Sequence, residues 1–230
     1  MKIVQPTFEI LRYTPDLTKI IEVGIRTAYK SEDKICEGSD IAIIDKIKSF
    51  KHESTLEHGS ITVKFVTDRG VTHELVRHRH ASYTQESTRY CNYGKGKFGN
   101  EITVIEPFFF ANDITVEGRL KRGVWEAACK QAEIQYLDLL RNGASAQEAR
   151  SVLPNSLKTE IIMTTNPRDW RHVFELRTHR DAHPQIRQIM CPLLGAFRKL
   201  WPVLFDDVGT TEHPHPAIEV LNDDLMDEED

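Results

Sequence analysis

The sequence predicts an α+β fold: a mixed, largely antiparallel sheet packed with helices, in a single domain. Three observations predict it. Stretches of period two and of helical period are interspersed, without the regular strand–helix alternation of a doubly wound sheet. No Gly-, Ser- or Pro-rich linker and no internal repeat divides the 230 residues. A chain of this size buries ~70% of its unfolded surface, enough for one core. Its 40% hydrophobic and 28% charged content is that of a globular chain.

Residues 2–12 alternate as a first strand, and Asp16 to Lys30 carries Leu17, Ile20, Ile21, Val23 and Ile25 at helical spacing. Ser39-Asp40 is placed to cap a second helix running through Ser49. Ser60 to Phe65 alternates as a half-buried strand. A helix from near Gly70 then delivers Arg77-His78-Arg79 at its end, and residues 80–100 are polar and turn-rich. Ile102 to Phe110 has strand composition. The longest helix is predicted over Val116–Arg141, with Trp125, Ala128, Ala132, Tyr136 and Leu139 on one side and Asn142-Gly143 closing it. A shorter helix spans Ala146–Leu153, a strand Leu157–Thr165, and Pro167 opens the next helix. Pro184 to Leu204 reads as the last helix.

Composition narrows the function classes. No stretch approaches the ~20 apolar residues of a membrane span, and Met1–Pro6 lacks the apolar core of a secretion signal. The expectation is a cytoplasmic protein with no membrane partner. Cys36, Cys91, Cys129 and Cys191 form no C-x-x-C pair, so free thiols are expected, with no part in catalysis. The net charge of −5 conceals an asymmetry: residues 206–230 hold ten acids and no Lys or Arg. Removing them from 35 acids and 30 bases leaves 25 acids against 30 bases, a body of +5. The division expected is a catalytic domain at 1–205 and a solvated acidic tail at 206–230. The basic body suggests anionic ligands.

Two motifs invite readings that their context refuses. Gly94-Lys95-Gly96-Lys97-Phe98-Gly99 spells G-x-G-x-x-G, but a polar loop precedes it and a strand follows, where a dinucleotide fingerprint needs strand before and helix after. His52 and His58 are six apart, whereas two zinc ligands on one helix face stand four apart. His78 and His80 lack a third ligand at useful spacing, so no metal is expected.

The strongest constellation runs from Arg77 to Tyr90. Arg77, Arg79 and Arg89 are crowded among hydroxyls, and such repulsion is offset when guanidinium forks bind a phosphate bidentately. The basic, aromatic-interleaved stretch 77–98 also allows an alternative, a nucleic-acid-binding module. Arg77-His78-Arg79, seven residues, then Ser87 resembles the R-H-R-x7-S signature of the flavin-dependent thymidylate synthases. His52-Glu53-Ser54-x-x-Glu57-His58 is similar to that family's H-E-[ST]-x-x-E-H element, and Ala149-Arg150-x-x-Leu153-Pro154 to its A-R-x-x-L-P. Asn166-x-Arg168, His172 and Leu176-Arg177 resemble the late segment, and His183-Pro184-Gln185-Ile186-Arg187 the closing H-x-[QE]-I-R. The blocks stand in family order from about residue 50 to 190.

The resemblance implies methylation of dUMP at uracil C5 to dTMP. Methylenetetrahydrofolate would give the carbon, FAD would be the redox cofactor and NADPH the reductant, with no nucleic acid as partner. It implies FAD binding by Ser54, Arg77, His78, Arg79, Gln85, Asn166, Arg168 and His172, with His52 near flavin and folate. Around dUMP it implies Glu74, Arg77, Gln85, Glu86, Ser87, Thr88, Arg89, Arg150 and Arg177, Glu86 through its backbone. Arg177 is assigned the chemical step, holding the enolate-like pyrimidine. Ser87 as a nucleophile would need a base within reach; the sequence identifies none, so Ser87 is read as an orienting hydroxyl. The family also implies a homotetramer with sites shared between subunits. The grouping expected is Arg177 with loop 85–89 from one subunit, and Arg150 with Arg77 from its neighbour.

Overall fold

The computed structural model describes residues 1–111 and 113–210. Its first strand is split where Pro6 removes a backbone donor: β1 (Lys2–Val4) and β2 (Thr7–Tyr13) replace the single strand expected over 2–12. Strand β1 pairs in parallel with β5 (Thr103–Ile105), Ile3 opposite Val104. The other sheet is antiparallel, in the order β2-β3-β6-β4, with β3 at Ile61–Asp68, β4 at Ser82–Gln85 and β6 at Lys158–Thr165. Period two is strict in the middle strands: Ile61, Val63 and Phe65 are buried in β3, and Thr159, Ile161, Met163 and Thr165 in β6. The α+β class and the mainly antiparallel pairing are as the sequence predicts.

Helices α1 (Leu17–Tyr29), α2 (Ser39–Ser49), α3 (Arg69–Leu75), α5 (Val116–Arg141) and α7 (Pro167–Arg177) lie close to their expected places. Several details differ. Gly38, at φ 74°, is the N-cap of α2, because the Ser39 hydroxyl is turned onto the Glu22 carboxylate and the Cys36 backbone. On α5 the buried positions are Gly118, Cys129 and Tyr136, so the inner stripe passes through Cys129 and leaves Ala128 exposed. The segment 102–110 is strand only as far as Ile105, and after Pro107 a short helix α4 (Phe108–Ala111) follows. Helix α6 (Ala146–Ala149) tightens into a 3-10 turn at Arg150–Val152. The last predicted helix is two, α8 (Pro184–Leu200) and α9 (Pro202–Phe205). Trp201 leaves the helical region (φ −139°, ψ 65°) since a residue before proline is disfavoured there. No helix among the described residues is long and apolar enough to cross a membrane.

Within this fold the chain gathers into two compact units interleaved along the sequence. The first comprises Met1–Thr7, Phe65–Arg77 and Thr84–Ile161. Its core gathers Tyr93, Ile102, Val104, Cys129, Tyr136, Ala149 and Leu157. The second comprises Phe8–Lys64, His78–Tyr83 and the chain from Ile162. Its core is aromatic: the ring centroids of Phe174, Phe197 and Phe205 are 5.1–5.9 Å apart, and Trp170 stacks on Phe174 at 5.6 Å. Trp170 Nε1 donates to the Ile61 carbonyl at 3.1 Å, tying α7 to the start of β3. Of the expected acidic tail, 211–230 lie outside the described residues. Asp207, near its start, is ion-paired with Lys48 at 2.8 Å and Arg171 at 2.6 Å.

Candidate active site

In the second unit His78 and the residues just after it meet α7. Asn166 caps that helix, its Oδ1 accepting from Asp169 N at 2.9 Å, and Pro167 fixes the first turn. Trp170, Val173 and Phe174 face the core, so Arg168, Arg171, His172 and Glu175 fall on the opposite side. One turn after Arg168, His172 lies edge-on to His78 at 5.9 Å. Arg177, closing the helix, donates from Nε to His78 Nε2 at 3.0 Å. Backbone bonds fix the segment itself: Tyr83 Oη donates to the His78 carbonyl at 2.9 Å and Thr165 Oγ1 to the His80 carbonyl at 2.6 Å.

The electrostatics of this group follow from that packing. Burial, then the positive Arg177 beside it, then His172, lower the His78 pKa to about 4, against a smaller opposing pull from Asp169. His78 is therefore a neutral acceptor at pH 7, the state that the Arg177 bond requires. Burial pushes the Tyr83 phenol up to about 12, so it remains a donor.

A cavity of about 650 Å³ opens on this face of α7, lined by Glu53, Glu57, His80, Asn166, Arg168, Arg171, His172, Glu175 and Asp207 among others. Arg168 is held by Glu57, and Arg171 by Asp207. Burial works against the Asp207 carboxylate, but its bonds to Arg171 and Lys48 prevail and depress its pKa far below the usual range. Glu53 and Glu57 reach the cavity on a 3-10 turn, Glu53–Glu57, anchored by buried Leu56. His52 precedes that turn, exposed, with Nδ1 3.3 Å from Tyr29 Oη. Ser54 and Arg79 are also exposed.

In the first unit the segment after β4 makes a second group. Arg150 Nη1 donates to Thr88 Oγ1 at 3.3 Å, and Ser87 Oγ accepts from Arg89 N at 3.3 Å. The Arg89 guanidinium lies 5.5 Å over the Tyr90 ring. Gln85 gives its amide to Thr72 Oγ1 at 3.0 Å and Thr159 Oγ1 at 3.2 Å. The Glu86 side chain is engaged too, accepting from Tyr93 Oη and Lys158 Nζ. Glu74 is half-buried on α3 and Arg77 exposed just beyond it.

The predicted residues thus fall in two groups. His78, Asn166, Arg168, His172 and Arg177 stand together in the second unit; Glu74, Gln85, Glu86, Ser87, Thr88, Arg89 and Arg150 belong to the first. The expected division of Arg150 from loop 85–89 between subunits is corrected, because Arg150 reaches Thr88 of its own chain. Sequence reading missed Lys158 and Tyr93, partners of Glu86, and the Arg171–Asp207–Lys48 cluster. Lys158 and Asp207 join across 72 and 159 residues, respectively, so no local pattern announces them. Among the described residues no three His, Cys, Asp or Glu side chains are grouped to hold a metal ion. Gly94–Gly99 leads into β5, not a helix.

Comparison with known proteins identifies the family. A family model described as Thymidylate synthase complementing protein matches residues 9–203. The flavin-dependent thymidylate synthase of Geobacter sulfurreducens is 33% identical over 207 residues, covering 87% of this chain and 85% of that one. The Corynebacterium aurimucosum enzyme of the same name is 33% identical over 205 residues, 84% of this chain and 80% of that one. Among solved structures, the UMP/dUMP methylase PolB from Streptomyces cacaoi bound with 5-Br dUMP superposes with a TM-score of 0.75. It is 24% identical and covers 90% of this chain and 96% of that chain, a likeness of fold. With a family model spanning nearly all of the described residues and relatives matched over most of their length, the chain belongs to the flavin-dependent thymidylate synthase family.

Proposed function

We propose that this protein converts dUMP to dTMP, taking the carbon from methylenetetrahydrofolate and using FAD, with NADPH as reductant. The observation that carries the reading is the Arg177–His78 pair, a guanidinium oriented through Nε by an imidazole that stays neutral at pH 7. An arginine held in this way is preorganised for an anionic pyrimidine. Its fork would address uracil N3 and O2 and stabilise the negative charge that develops as C5 becomes nucleophilic.

The chain's residues fit a flavin dinucleotide. The cavity beside α7 carries more carboxylates than cations, and carboxylates suit its hydroxyl and N–H groups. The exposed guanidiniums of Arg77 and Arg79 suit its diphosphate. Asn166, Arg168, His172, His78, Ser54 and Gln85 complete the set assigned to it, with His52 toward the folate. A bound flavin supplies the reducing electrons. For dUMP, Arg89, Arg150, Arg77, Ser87 and Thr88 offer cations and hydroxyls to the phosphate, while Glu74 and Gln85 line the nucleoside. Ser87 orients; no general base is bonded to its hydroxyl among the described residues. Cys129 and Cys191 are buried with thiols pushed up by burial, which accords with catalysis that needs no cysteine.

A homotetramer with shared sites is part of the proposal. Val116, Leu120 and Val124, four apart along α5, expose an apolar stripe suited to a second copy. The test is anaerobic dTMP formation from dUMP, methylenetetrahydrofolate, NADPH and FAD, omitting each component in turn. Product only in the complete mixture is expected; formation without flavin or without folate overturns the reading.

A further inference from the structure

Glu86 stands beside the residues assigned to a phosphate, where an unpaired carboxylate would be repulsive. Its side chain is only 14% exposed and both oxygens are occupied. Tyr93 Oη donates to Oε1 at 2.9 Å, and Lys158 Nζ donates to Oε2 at 3.1 Å while also binding Glu160 at 2.7 Å. The Glu86 backbone N–H is fixed as well, donating to the Glu160 carbonyl at 2.8 Å. At the other end Tyr93 is anchored: its ring is buried against Tyr136 and Phe98, and its N–H donates to Tyr136 Oη at 3.2 Å. The Glu86–Tyr93 bond therefore closes a loop between two fixed points. Inside it Tyr90 N and Cys91 N both donate to the Ser87 carbonyl, at 3.1 and 2.9 Å, and Thr88 receives Arg150.

We propose that Glu86 is a positioning residue, whose carboxylate, bridging Tyr93 and Lys158, holds the 87–91 turn in the shape that presents Ser87, Arg89 and Arg150 to the substrate phosphate. The inference rests on the dUMP reading given above. A bond to an ionised acceptor is among the stronger kinds, and a turn already ordered spares the ligand that entropic cost. Lys158 meanwhile offsets the carboxylate's charge. Burial opposes the Lys158 charge, but its bonds to Glu160 and Glu86 prevail and raise its pKa, so the cation persists at neutral pH.

Tyr93→Phe tests this, since it removes one hydroxyl and keeps the packed ring. The dissociation constant for dUMP should rise about tenfold, with kcat at saturating dUMP and flavin content nearly unchanged. In nucleotide-free protein the Tyr90 and Cys91 amides should exchange with solvent several-fold faster, roughly as a turn losing one closing bond does. Lys158→Met should weaken dUMP in the same direction, and adding Tyr93→Phe to Glu86→Ala should cost little more than Glu86→Ala alone. Unchanged dUMP affinity and unchanged exchange in Tyr93→Phe would overturn the proposal. Equal loss of flavin and dUMP together with a lower melting temperature would also overturn it, by making the bond merely structural. Wild-type protein that takes up flavin but no dUMP refutes the proposed function instead. The exchange rates then still decide whether Glu86 holds the turn.

Discussion

At the residue scale, Arg177 depends on His78 remaining uncharged. The folded-state pKa of His78, about 4, lies below the ordinary value of 6.5. Between those values the unfolded chain binds a proton that the folded chain does not. His78 therefore costs stability progressively as pH falls through that window and nothing above it. In flavin-free protein the His78 ring, followed by NMR, should titrate with a midpoint about 4; Arg177→Ala should raise that midpoint but leave it below 6.5, because burial remains the largest cause. A wild-type midpoint near 6.5 would contradict the described pair. Arg177→Lys keeps the charge and loses the fork. Turnover at saturating dUMP should fall by about 100-fold, the loss of ~3 kcal/mol of transition-state stabilisation, with flavin content near normal. Loss of flavin would reassign Arg177 to cofactor binding, and near-normal turnover would remove it from the chemistry. The motif order brought Arg177 and His78 into view although 99 residues separate them. The partners that tune them, such as Asp169, belong to packing that a motif does not encode.

At the scale of elements, caps and breaks decide the boundaries. Thr115 closes the start of α5 by accepting from Gly118 N at 3.0 Å. Thr115→Val keeps the shape and removes the acceptor, so it should cost about 1 kcal/mol in urea unfolding while flavin and dUMP binding stay unchanged. An unaltered unfolding curve would show that the cap contributes nothing. The long helices were legible because apolar spacing and proline or glycine punctuation agree: Pro167 opens α7, and Asn142-Gly143 follows α5. Strand β4 was not legible. Ser82-Tyr83-Thr84-Gln85 has no apolar alternation, and it is a strand because it pairs along β6. Trp201 likewise divides α8 from α9 through its neighbour Pro202, which the apolar pattern of 184–204 conceals.

At the scale of the whole molecule, the five sequence blocks gave the family and its chemistry, while the interleaving of two units was hidden because strands β3 and β6 each run from one unit into the other. Arg150 with its loop and Arg177 with His78 fall in different units, and the proposal that one site draws them from two subunits has its own test. Arg150→Ala and Arg177→Ala should each be nearly inactive. Mixed and reassembled, about half of the pairs should be hybrid and about a quarter of all sites intact. Verified hybrids as inactive as either parent would refute sharing of these two arginines. Methylation of dUMP by this chain with electrons from a bound flavin has a more direct test in a single turnover. FAD-loaded protein, reduced with dithionite under anaerobic conditions, is mixed with dUMP and methylenetetrahydrofolate without NADPH, and dTMP is counted against flavin oxidised. One dTMP is expected for each reduced flavin consumed; no dTMP, or dTMP formed while the flavin stays reduced, would refute methylation by this route.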